Sequence, residues 1–66
     1  MTAYRIYGRY GRTERLRALD VKEGAFVGNL IRATLFYDKA QADKVCLHAN
    51  EDNQDFEFVV RKVRNA

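Results

Sequence analysis

Arg5, Tyr7 and Arg9 stand at alternate positions in "YRIYGRYGR", residues 4–12, a stretch of three tyrosines, three arginines, two glycines and one isoleucine. An arginine fork grips a phosphate through paired N–H donors, and a tyrosine ring offers a plane on which a base can stack. The basic residues through position 17 are all arginine: Arg5, Arg9, Arg12, Arg15 and Arg17. Lysine would serve solubility equally well, so the choice favours recognition of an anion, a nucleic acid or a nucleotide. The opposing reading is that outward arginines decorate a strand and discourage edge-to-edge pairing.

The other groups able to do chemistry point away from catalysis. Cys46 and His48 are two residues apart on a helical pattern, which turns them to different sides of the axis and prevents a nucleophile–base pair. Serine is absent, and Asp52 and Asp55 lie in a polar loop without a partner for acid–base work. "GRYGR" and "GNLIRA" match no phosphate-cradling glycine motif. One cysteine allows no internal disulfide, and no cysteine–histidine spacing suits a structural metal. The chain is expected to have no catalytic residue, no metal and no cofactor.

These residues need elements to position them. Between residues 4 and 10, Tyr4, Ile6, Gly8 and Tyr10 share one face, and Arg5, Tyr7 and Arg9 the other: a strand. "GRT" at 11–13 reads as a turn, after which Leu16 and Ala18 alternate with Arg15 and Arg17. Such a hairpin sets Ile6 near Leu16 inside and gathers Arg5, Arg9, Arg15 and Arg17 around Tyr7 outside. Arg5, Tyr7, Arg9, Arg15 and Arg17 are therefore the expected ligand-binding set. After a polar turn at 20–24, residues 25–37 read either as a short strand at 25–27, a turn at Gly28–Asn29 and a strand near 33–37, or as one bulged strand.

A helix follows. Asp38 is its N-cap, with Gln41 completing a capping box, and Ala42, Val45, Cys46 and Ala49 form one apolar stripe. Lys39, Asp43, Lys44 and His48 take the wet side, and Asn50 is placed to end it in a left-handed cap. "FEFVVRKV" at 56–63 is the last strand. It is apolar on both faces, as for an interior strand or one whose outer face a partner covers. The order β-β-β-α-β gives one small α+β domain over 1–66, an antiparallel sheet of three to four strands with the helix on one face.

Composition narrows the setting. The 66 residues carry a net charge of +3 and are 47% hydrophobic, which suits a folded domain rather than a disordered chain. A chain this short buries only about 60% of its unfolded surface, so a homo-oligomer is expected to share the burden. Charge is segregated: residues 1–17 hold five arginines against Glu14. Residues 38–57 hold Asp38, Asp43, Glu51, Asp52, Asp55 and Glu57 against Lys39 and Lys44, and Arg61, Lys62 and Arg64 follow. No apolar run approaches the roughly 20 residues of a membrane span, and "MTAYRIYGRY" has no signal-peptide core. No membrane association and a cytoplasmic location are the expectation.

"FEFVVRKV" shares only its aromatic spacing with the signature of RNA-recognition domains, which carry two helices where this order has one. The chain as a whole resembles small bacteriophage and mobile-element accessory proteins. The resemblance lies in "YRI" at 4–6, "ATLF" at 33–36, "DKAQADKV" at 38–45 and "FEFVVRKV" at 56–63. It implies an accessory protein that acts by binding. A host protein, such as a defence enzyme to be inhibited through the exposed sheet or the acidic helix–loop, is then the alternative partner to an anionic ligand.

Overall fold

A computed structural model describes residues 2–63 of the chain. Its elements are β1 (Ala3–Tyr10), β2 (Arg17–Asp20), β3 (Ala25–Val27), a 3-10 turn (Leu30–Arg32), α1 (Lys39–Asp52) and β4 (Phe56–Val63). The strands form one antiparallel sheet in the order β3-β2-β1-β4. This is the α+β architecture expected from the sequence, with α1 on one face. β1 lies inside the sheet and pairs with β4 from Ala3↔Val63 to Tyr10↔Phe56. No helix among the described residues is long and apolar enough to cross a membrane.

The core fills the space between α1 and the sheet. Ile6, Leu19 and Phe58 come from the strands, Phe36 from the approach to the helix, and Ala42 and Cys46 from its apolar stripe. Val45 and Ala49 complete that stripe at the edge of the cluster. Phe26, Phe56 and Phe58 stack with ring centroids 5.9–6.2 Å apart. Gly8 makes room for them: a Cβ there would meet Phe58 Cδ1 at 2.6 Å and Phe26 Cε1 at 2.9 Å.

Asp38 caps α1 as expected, its Oδ1 accepting from the Ala40 N–H at 3.0 Å. The helix does not stop at Asn50. It runs to Asp52, and the Asn53 N–H closes it on the Ala49 carbonyl at 3.1 Å. Asn50 instead reaches to β4, where its Nδ2 donates to the Phe58 carbonyl at 3.1 Å and its Oδ1 accepts the Phe58 N–H at 2.8 Å. β4 is thus an edge strand rather than an interior one, and a side-chain amide stands where a neighbouring strand would pair.

Residues 25–37 correct the sequence reading in part. β3 spans Ala25–Val27, and Gly28–Asn29 lead into the 3-10 turn, which Asn29 caps through its Oδ1 and the Ile31 N–H at 3.0 Å. The strand expected near 33–37 shrinks to one bridge: Tyr4 N–H donates to the Phe36 carbonyl at 2.7 Å, and Phe36 N–H returns to the Tyr4 carbonyl at 2.9 Å. Thr34 fixes the approach, its N–H on the Leu19 carbonyl and its Oγ1 under the Val21 N–H. Phe36 takes the place beside Tyr4 beyond the end of β2.

The hairpin register also differs from expectation. Tyr7 pairs with Ala18 and Gly8 with Arg17, which sets Leu19, not Leu16, beside Ile6. An odd shift inverts every side chain of β2. The inverted register seats Leu19 in the core, with Val21 packed against the cluster, where the expected register offered Leu16 and Ala18; burying one such leucine contributes roughly 1.5–3 kcal/mol. The loop lengthens accordingly to residues 11–16. It opens on Gly11 at φ 62°, whose N–H bonds to the Asp55 carbonyl on the β4 side at 2.8 Å.

Candidate anion-binding face

The sheet face turned away from α1 carries Ala3, Arg5, Tyr7 and Arg9 on β1, opposite Val63, Arg61, Val59 and Glu57 on β4. Alternation alone puts the β1 residues there, since Ile6 and Gly8 turn to the core. The pairing then brings together side chains far apart in sequence. Tyr4 directs its N–H and carbonyl to Phe36, so the next pair, Arg5–Arg61, is a hydrogen-bonded one with Cα atoms about 5.5 Å apart. Two arginines thus stand directly opposite one another, Arg5 on an interior strand and Arg61 on the edge strand.

Their surroundings do little to neutralise them. Glu57 is engaged with Arg9 directly across the strands, at 2.6 Å from Nη2 and 2.8 Å from Nε, both to Oε1. The Asp20 Oδ1 accepts the Glu23 N–H of its own turn at 3.2 Å. Among the described residues no acid pairs with Arg5 or Arg61, and the half-buried Arg5 has its Nε shielded from water without a hydrogen-bond partner. Arg61 is exposed and lies over the Tyr7 ring, its Cζ 5.9 Å from the centroid. Directly across the strands Tyr7 has Val59, Ala18 and Val27 for neighbours, and its ring is half-buried with Arg61 over it.

Of the five residues expected to bind, Arg5, Tyr7 and Arg9 share this face. Arg17 does not join them: opposite Gly8 it falls on the helix side, with its guanidinium 5.4 Å from the Phe26 ring centroid. Arg15 lies exposed in the 11–16 loop, outside any strand. The inverted register of β2 is the reason for both. Arg61 was missed. The alternation of β4 already set it between Val59 and Val63 on the face away from the core, but only the adjacency of β1 and β4 puts it beside Arg5. Arg64, also in the basic tail, lies outside the described residues.

The remaining reactive groups sit elsewhere. Cys46 is buried under the sheet, and burial, followed by the nearby Asp43 carboxylate, pushes its thiol pKa up. His48 is exposed on α1 with Nδ1 3.8 Å from Glu51. Asp43, Glu51 and Asp52 belong to α1, across the sheet from Arg5 and Arg61. Among the described residues no three of His, Cys, Asp and Glu converge to hold a metal ion. No family model, curated protein or solved structure matches the chain.

Proposed function

We propose that the protein is a non-catalytic binding module, of the accessory kind its sequence resembles, which holds a phosphate-bearing ligand on its open sheet face. Arg5 and Arg61 grip the phosphate and Tyr7 supplies a flat apolar contact. The observation that carries this reading is the direct opposition of Arg5 and Arg61 with no acid paired to either among the described residues. Like charges opposite one another on a sheet face destabilise it, and an anion bridging them reverses the sign. Arg9, neutralised by Glu57, frames the site rather than gripping the ligand.

Calorimetric titration with ATP and with a short oligonucleotide at low salt tests the reading. Arg5→Met with Arg61→Gln is expected to weaken both by about tenfold or more, because two charge-assisted contacts go. Arg17→Gln, on the other face, should leave binding as it was. Equal losses in the two variants, or no binding by the unaltered protein at low salt, would refute it.

A second reading rests on a different surface. Ile31 is 89% exposed, with Tyr37 61%, Leu30 46% and Leu35 38%, so one segment leaves four large apolar side chains in water. A domain too small to bury them gains by covering them with a second copy of itself. Sedimentation of the unaltered chain and of Ile31→Glu tests this, and a concentration-independent 7.7 kDa monomer would end it.

A further inference from the structure

We infer that the ligand of this face is single-stranded nucleic acid, taken up as a run of nucleotides rather than as a free nucleotide. The inference rests on the phosphate reading of Arg5, Tyr7 and Arg61 and names the ligand class.

Shape is the first argument. Sites for small nucleotides are concave and cover most of the ligand. Four well-formed concavities among the described residues lie elsewhere: a groove of ≈620 Å³ between α1 and β4, one of ≈350 Å³ on the helix side of Phe26, and two at the loops. None is lined by Arg5, Tyr7 or Arg61. The site is an open sheet, which encloses nothing. An open surface gains affinity only by repetition, from a ligand that touches it at several places.

Arrangement is the second. Arg5, Tyr7 and Arg9 lie in line along β1, and alternate residues of a strand are about 7 Å apart. The line leads into the 11–16 loop, where Arg12 and Arg15 are exposed. Arg9 is held by Glu57, so the next arginines are Arg12 and Arg15 past the end of β1 at Tyr10, which is about 17 Å along the strand from the Arg5–Arg61 pair and further than one phosphate reaches. A charge pair, a ring and a further set of charges in sequence match a backbone running along β1 with a base laid on Tyr7.

Tyr7 decides between one strand and two. The base faces of a duplex are stacked on one another, and a duplex would meet this surface with phosphates alone. A single strand offers an unstacked base, and base–aromatic stacking does not depend on which base it is. With Arg5 and Arg61 given to phosphates and Arg9 and Glu57 paired to each other, the ring of Tyr7 is left for the base, and stacking is tolerant of sequence.

Fluorescence anisotropy with the intact protein tests the inference, using labelled oligo-dT of two, four and eight nucleotides, an eight-base-pair duplex, and ATP as competitor. Affinity should climb at least tenfold from two nucleotides to a plateau near four, the lower end of single-domain site sizes. The duplex should bind at least tenfold more weakly than the eight-nucleotide strand. With about three phosphates neutralised, log affinity should fall against log salt with a slope near −2. Tyr7→Ala should weaken the single strand about 5- to 150-fold while Tyr7→Phe keeps it, with circular dichroism verifying that both fold. ATP binding as tightly as the eight-nucleotide strand would overturn the polymer and leave the phosphate reading standing. A duplex equal to the single strand, or a Tyr7→Ala variant that folds and binds normally, would overturn the stacked single strand. Absence of binding by every probe at low salt would remove both readings.

Discussion

The side-chain amide of Asn50 hydrogen-bonds both main-chain groups of Phe58, accepting its N–H at 2.8 Å and donating to its carbonyl at 3.1 Å. In this way α1 is fastened to the outer edge of β4, and the strand that carries Arg61 is held against β1. Asn50→Ala leaves both Phe58 groups without their partner. The expected loss is about 2 kcal/mol, seen in urea unfolding as a lower midpoint with an unchanged slope. A domain of this size should melt roughly 10 °C lower.

Gly8→Ala tests the packing beneath the candidate site. The added methyl meets Phe58 and Phe26 at 2.6–2.9 Å, and the stacking with Phe56 limits how far those rings can move. Overpacking of this kind costs about 2 kcal/mol. Shortening the obstacle with Phe58→Leu should make the double variant more stable than the sum of the two single losses, read by a double-mutant cycle in urea.

Glu57→Gln releases Arg9 from its ion pair. On a partly exposed pair the stability loss should stay under about 1 kcal/mol. The freed charge joins the open face, so the variant should bind an eight-nucleotide strand more tightly than the unaltered protein and with a steeper salt dependence. Weaker binding by a folded Glu57→Gln protein would place the ligand away from this face.

Cys46 should resist thiol reagents at pH 7–8 until the protein unfolds, because burial and then the Asp43 charge hold its thiol above the ordinary pKa. The sign for stability follows. Above the unfolded thiol's pKa, near 8.5, the unfolded chain loses its proton before the folded one, so stability declines as pH rises through that region. Cys46→Ala should flatten this part of the stability–pH curve, measured by urea midpoints between pH 7 and 10.

Local pattern determined much of this protein. Period-two alternation assigned Ile6 to the core and Arg5, Tyr7 and Arg9 to the opposite face, and these faces follow from the geometry of any strand. The Asp38 cap and the Ala42–Val45–Cys46–Ala49 stripe likewise depend only on neighbours within a few residues. Tertiary structure decided the rest. Whether Leu16 or Leu19 enters the core is a competition for one buried volume, and its outcome turned Arg17 to the helix side. Which strand lies beside β1 is a matter of sheet order, and that order placed Arg61 opposite Arg5 and Glu57 opposite Arg9. Asn50 serves an edge that exists only once β4 is in place, so its short-range reading as a helix cap missed its partner. Side-chain alternation is fixed within a strand, whereas register and strand order are fixed by packing across the whole domain.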